Sequence, residues 1–228
     1  MNVSKDNFLA VSLLFSALLT PFVARAGVVM GGTRVIYQEG KRGASMSVTN
    51  QDDNTPYLIQ SWVENYDANN KLSVPFVVTP PLFRLDGGKE NIIRISYTGT
   101  KLPEDHESVF WLDVKSISPT PKNGGNVLQV NIKSKFKLFY RPKGLTSLPD
   151  DAFKKLKFHK ESGELVAYNP TPFFISFYSI SLSGHEIKDP GMIAPKETKH
   201  WSLVAGNNIS WQAINDYGGI TEAVTSSL

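Results

Sequence analysis

The sequence predicts an all-β protein built as two β-sandwich domains. Three observations carry that prediction: apolar residues recur at every second position, turn-forming clusters fall about every ten residues, and one proline-rich break divides the pattern in two.

Alternation is clearest over Ser45–Thr49, Tyr57–Glu64, Ile92–Tyr97, Val109–Ser116 and Val127–Tyr140. Neighbouring side chains on a strand point to opposite faces, so one apolar residue in two suits a sheet with one buried face. Between these runs stand Asp52-Asp53-Asn54, Asp86-Gly87-Gly88 and Lys122-Asn123-Gly124-Gly125, residue types that accept turn dihedrals or bond their own backbone. The longest run ends at Arg141-Pro142, and another proline follows at Pro149. Proline cannot donate to a ladder, so residues 143–149 are expected to link a domain over 27–142 to one over 150–228. The pattern restarts with Leu156–His159, Leu165–Tyr168, Phe173–Leu182, Lys199–Val204 and Ile209–Ile214. Each half has the size of an immunoglobulin-like sandwich.

The first 26 residues stand apart. Lys5 precedes the apolar run Phe8–Leu19, and small residues follow at Ala24-Arg25-Ala26. A charged start, a short apolar middle and a small-residue cut site predict a secretory signal peptide over 1–26. The run is too short for the roughly 20 apolar residues a membrane span needs, so no membrane insertion is expected after cleavage. Loss of Lys5, Arg25 and Asp6 lowers the formal net charge from +3 to +2. That small charge does not suggest a nucleic-acid partner. The chain has no cysteine, so an exported protein of this sequence must hold together by its cores alone.

Catalytic patterns are hard to find. His106, His159, His185 and His200 are never spaced to share one strand or helix face, and without cysteine no metal site is expected. Gly31-Gly32, Gly87-Gly88 and Gly218-Gly219 lack the residues that make a phosphate-binding loop and read as turns or bulges. No G-x-S-x-G element nominates a nucleophile. The tryptophans Trp62, Trp111, Trp201 and Trp211 suit core positions at least as well as a carbohydrate surface.

The run from Val127 to Pro142 is the most informative. Leu128, Val130, Ile132, Phe136 and Leu138 are apolar at even positions, Ser134 being the exception, while Gln129 to Lys137 are polar at odd ones. The even face either packs on its own core or is presented at an open sheet edge for another chain, and periodicity leaves both open.

Seven segments in order, Gly32-Thr33-Arg34-Val35-Ile36-Tyr37, Thr55–Trp62, Thr79–Leu85, Leu102–Trp111, Lys135–Pro142, Asn169-Pro170-Thr171-Pro172 and Ile214–Gly219, resemble the periplasmic pilus (fimbrial) chaperones, the PapD-like family. The resemblance implies a boomerang of two immunoglobulin-like domains with a cleft between them. It implies a periplasmic protein that binds pilus subunits, completes their open sandwich with its own strand over 127–140, and delivers them to an outer-membrane usher. Leu128, Val130 and Ile132 would be the donor-strand residues that enter the subunit groove, and Arg34 and Lys137 the cations that hold its C-terminal carboxylate. Glu107, Arg141 and Asp216 match a charged trio between the domains. No cofactor and no enzymatic reaction are implied, and self-association of the free protein through its lent strand stays open. Lys137 and Ile132 have opposite parity, so a bulge, a strong twist or approach from the strand's other side must reconcile them.

Some positions depart from the family's pattern: His106 stands where Arg is usual, Asp113 where Asn is common, and Ser118 where a second Pro is frequent. The short connection Pro119–Gly125 and the absence of cysteine resemble the short-loop branch of the family. The alternatives are a pilus subunit or adhesin and, further off, a carbohydrate-binding or hydrolytic sandwich protein.

Overall fold

A computed structural model describes residues 27–99, 101–120, 128–145, 147–202 and 205–228. The signal peptide expected over 1–26, Val127 and most of the connection preceding it lie outside these residues.

The first domain contains β1 (Val28–Met30), β2 (Arg34–Gln38), β3 (Ala44–Asn50), β4 (Tyr57–Asn65), β5 (Phe76–Thr79), β6 (Leu82–Leu85), β7 (Glu90–Tyr97), β8 (Ser108–Ile117) and β9 (Ile132–Arg141). They form two sheets, ordered β1-β3-β7-β5 and β2-β9-β8-β4-β6. Alternation explains the packing: Phe110, Leu112 and Val114 of β8 point inward with Leu138 and Tyr140 of β9. The opposing sheet contributes Met46, Val48, Ile93 and Ile95. At one end Tyr37, Phe76, Tyr97, Phe110 and Tyr140 form an aromatic cluster with centroid separations of 4.9 to 6.4 Å.

Gly31 and Gly32 mark where the chain leaves β1 in one sheet and enters β2 in the other. A side chain at Gly31 would place its Cβ 2.2 Å from Ser47 Oγ, so the crossing needs glycine for space. This sheet switch gives β2 its unusual partner. It runs parallel to β9, while β8 runs antiparallel on the other side.

A 3₁₀ segment, Pro149–Lys155, opens the second domain and buries Ala152 and Phe153 in its core. The strands that follow are β10 (Lys157–Glu161), β11 (Glu164–Tyr168), β12 (Ile175–Leu182), β13 (His185–Glu186), β14 (Met192–Ile193), β15 (Thr198–Ser202), β16 (Asn208–Ala213) and β17 (Val224–Ser227). One sheet is β10-β11-β15; the other is β13-β12-β16-β17, with β14 on β12. Trp211 fills the second core and donates its indole N–H to the Phe153 carbonyl at 2.9 Å, which ties the helical turn to the sandwich.

The sequence run assigned to the longest strand starts too early. The ladder of β9 begins at Ile132, opposite Ser116 near the end of β8, and residues 128–131 have no strand partner. Alternation alone cannot show where a neighbouring strand stops. Trp62 and Trp111 are also not core residues; they lie on the sheet face opposite the core, beneath lysine side chains.

Candidate functional site

β9 is paired unequally along its two edges. β8 covers Ile132–Tyr140, whereas β2 covers only Lys137–Arg141. Among the described residues, the outer edge of 132–136 therefore has no strand beside it. Leu128, Val130 and Ile132 are 89, 65 and 62% exposed. Val130 and Ile132 rim a shallow depression with Val28, Met30, Tyr57 and Val114, at the open end of the first core. The segment before β9 is held to β8 by side chains: Gln129 donates to the Ser118 carbonyl at 2.6 Å, and Asn131 Oδ1 accepts from the Ser118 amide at 3.2 Å.

The β8–β9 register is unbroken from Ile132 to Tyr140, so no bulge reconciles Lys137 with Ile132. The two residues use different faces. Even positions face the first core and its open end, while Lys137, Phe139 and Arg141 face the second domain: Lys137 touches Ser176, the Phe139 ring lies tilted 5.9 Å from that of Phe174, and Arg141 meets Asp216.

Arg34 and Lys137 are direct partners across the parallel β2–β9 ladder. Arg34 Nη1 donates to the Ile214 carbonyl at 3.1 Å, its guanidinium lies 5.7 Å from the Phe139 ring centre, and its buried Nε has no hydrogen-bond partner. Lys137 Nζ reaches Ser176 Oγ at 3.3 Å. Burial, then the neighbouring charges of Arg34 and Lys199, hold the Lys137 ammonium below its usual range. Burial also pulls Arg34 down, against the opposing charges of Asp216 and Glu107. Neither cation makes an ion pair among the described residues, so both charges are partly desolvated without a counter-ion in contact.

Glu107, Arg141 and Asp216 come together between the domains. Arg141 Nε donates to Glu107 Oε1 at 2.7 Å, and its two terminal nitrogens clamp Asp216 at 2.6 and 2.9 Å. The second Glu107 oxygen accepts the Phe174 amide at 2.9 Å. Burial works against the Arg141 charge, but Asp216 and Glu107 outweigh it and raise its pKa. For Glu107, 2% exposed, burial wins over Arg141 and raises the pKa.

Two asparagine turns deliver these partners. Buried Asn169 donates to the carbonyls of Phe173 and Ala194 and accepts from the Thr171 amide and hydroxyl, which aims the following Phe174 amide at Glu107. Asn215 Oδ1 accepts from the Tyr217 and Gly219 amides, fixing the turn that carries Asp216. The same turn brings Gly218 against Thr33, just ahead of Arg34; a Cβ there would lie 2.3 Å from Thr33 Oγ1.

The family described as "Pili and flagellar-assembly chaperone, PapD N-terminal domain" matches residues 27–146, and "Pili assembly chaperone PapD, C-terminal domain" matches 151–225. The chain belongs to the PapD-like family of pilus-assembly chaperones. It is 41% identical to chaperone protein FimC of Escherichia coli (strain K12) over 222 residues, covering 95% of this chain and 91% of that one. It is 43% identical to chaperone protein FocC of Escherichia coli over 205 residues, covering 87 and 89%. Among solved structures, the Salmonella enterica SafA pilin complex with the SafB chaperone matches with a TM-score of 0.81 at 32% identity, covering 91 and 99%. The Escherichia coli chaperone DraB matches with a TM-score of 0.79 at 39% identity, covering 89 and 96%.

Sequence reasoning missed several residues of this PapD-like chaperone. Ser176, Ile214 and Phe174 touch Lys137, Arg34 and Glu107 from the second domain, and no pattern in a single sequence marks them. It also missed a network on the odd face of the first sheet. Lys133 and Lys135 lie 3.2 to 4.0 Å from the carboxylates of Glu64 and Asp113, and over Trp62 and Trp111. Trp62, then Asp113 and the lysines, hold Glu64 down at about 2, while burial and Glu64 push Asp113 up to about 6. The alternation of Lys133, Lys135 and Lys137 was the one available signal for that face.

Proposed function

We propose that this chain captures a pilus subunit by lending the open edge of β9, and that Arg34 and Lys137 hold the subunit's C-terminal carboxylate. The observation that carries the reading is the half-covered edge: β2 pairs with Lys137–Arg141 and stops, leaving Ile132–Phe136 free beside the exposed Leu128, Val130 and Ile132. An exposed strand edge is a liability unless a partner is meant to pair with it.

Polarity follows from the chemistry. A strand lying along 128–136 with its terminal carboxylate at Lys137 must run parallel to β9, as β2 does further along. Two cations around one carboxylate give charge-assisted hydrogen bonds, each contributing about 1.5 to 3 kcal/mol where water is partly excluded. Burying Leu128, Val130 and Ile132 in a subunit groove adds roughly 5 to 9 kcal/mol gross, before ordering and association costs. The anchor fixes register, because a one-residue slip would turn the apolar side chains away from the groove. Glu107, Arg141 and Asp216 hold the two domains at the angle that keeps the anchor assembled.

The protein acts in the periplasm after signal cleavage, catalyses no reaction, and passes its subunit to an outer-membrane usher. The test is co-expression with a pilus subunit and affinity recovery of the complex. Wild-type protein should bring down the subunit in equimolar amounts, and a subunit extended by a few residues beyond its C terminus should be lost. Equal recovery of the extended subunit would exclude the carboxylate anchor.

A further inference from the structure

A third cation adjoins the Arg34–Lys137 pair. Lys199, on β15, sends its ammonium to the Met192 carbonyl at 3.1 Å. Met192 stands directly opposite Ser176 in the β12–β14 ladder, and Ser176 is the residue Lys137 touches. Cross-strand partners lie about 5 Å apart, so the two ammonium groups contact adjacent residues of one ladder, the Ser176 hydroxyl and the Met192 carbonyl. The path of Lys199 is prepared. Gly191 has φ +72°, and a Cβ at that position would lie 2.7 Å from Lys199 Nζ. On its other side Nζ stands 5.8 Å from the Trp201 ring centre.

Lys137 therefore lies between two further cations, Arg34 and Lys199, and none of the three makes an ion pair among the described residues. Burial holds Lys199 below its usual range, and its charge in turn depresses Lys137. One terminal carboxylate carries a single negative charge, so an anchor of three positive charges leaves capacity for a second anion. Among the described residues, the carboxylates that Arg34 feels, Asp216 and Glu107, are in contact with Arg141, and none contacts Lys137 or Lys199.

We infer that Lys199 is a specificity-determining residue of the anchor, which reads a second carboxylate at the subunit's C terminus, the side chain of an acidic last residue. This rests on the carboxylate-anchor reading. The chemistry is apt because the α-carboxylate and side-chain carboxylate of one terminal Asp are separated by a few bonds, matching two cations that contact facing residues of the β12–β14 ladder. Lysine suits the task as a flexible point charge, where Arg34 beside its aromatic neighbour is fixed.

The experiment is a competition. The chaperone is co-expressed with two differently tagged forms of the pilus subunit that co-purifies with it, one ending in Asp and one in Asn, and their ratio in the recovered complex is measured. Wild-type protein should enrich the Asp-ending form about fivefold at low salt. Lys199→Met should return the ratio to unity, and Lys199→Arg should retain part of the enrichment. A ratio of one with wild-type protein, or an undiminished preference in Lys199→Met, would overturn the role of Lys199 while leaving the anchor intact. Undiminished capture of both forms by Arg34→Ala would instead remove the anchor, and Lys199's part in it too.

Discussion

Asp113 lies wholly buried on β8, within hydrogen-bonding reach of Glu64 on β4, and the two carboxyl groups share Lys133 and Lys135. Burial, then Glu64, push the Asp113 carboxyl up against the lowering pull of Lys133 and Lys135, so its protonated form is favoured more than that of an ordinary carboxyl.

A pH-dependent stability follows. Asp113 has a folded pKa of about 6, above its ordinary value of 3.8, so its contribution is greatest at low pH and is lost as pH rises from about 4 to 6. Glu64 is depressed to about 2, so its contribution is present above about pH 4.5 and fades as pH falls toward 2. Asp113→Asn supplies a donor to Glu64 at every pH. It should stabilise the protein by on the order of 1 kcal/mol at pH 7.5, with the difference gone below pH 4. Urea unfolding at the two pH values checks this, and an unchanged or lower midpoint at pH 7.5 counts against it.

Lys137 should show opposite effects on stability and function. Its ammonium is held in a site that disfavours the charge, so Lys137→Met should leave the free protein equally or more stable at pH 7.5. Subunit capture should nonetheless fall at least about tenfold. Replacing Leu128, Val130 and Ile132 together by serine should behave similarly, with little change in unfolding midpoint because the side chains are exposed, and little complex recovered. Thermal unfolding alongside co-purification separates this from simple misfolding.

The interdomain clasp should be sensitive to its central cation. Arg141→Met leaves Glu107 buried with only the Phe174 amide, which should cost about 3 to 5 kcal/mol at pH 7.5. Without Arg141 the Glu107 pKa rises further, so the variant should be more stable at pH 5 than at pH 7.5, as the carboxyl takes up a proton. Small-angle scattering should show a broader spread of domain orientations. A wild-type scattering profile and stability would argue that the clasp is inessential.

Gly218 tests how closely the domains approach. Its φ is +85°, and its missing Cβ makes room for Thr33. Gly218→Ala should lose about 1 to 2 kcal/mol from the backbone alone and more from the overlap. Adding Thr33→Ala should recover the overlap and leave the backbone share. Failure of the second change to restore any stability would place the strain elsewhere.

The strands were legible because half-buried sheets write their faces into alternate residues, as in Phe110, Leu112 and Val114 of β8. The sheet switch at Gly31-Gly32 was not, since β1 and β2 are three and five residues long and their partners lie far along the chain. The true start of β9 was hidden because Leu128 and Val130 continue the period after the ladder ends. The resemblance placed Arg34, Lys137, Glu107, Arg141 and Asp216 on this chain, and the fold puts each beside another of them. Ser176, Met192 and Lys199 come from a domain whose approach no periodicity describes.

Strand β9 is one uninterrupted ten-residue rod from Ile132 to Arg141. Under the proposed capture it works as a ruler: at about 3.4 Å per residue, the span from Ile132 to Lys137 is a fixed length of roughly 17 Å. On that reading, a client is measured from its final atom inward. Proteins of different sequence can be accepted so long as they keep the same count of residues between their end and their first vacant pocket.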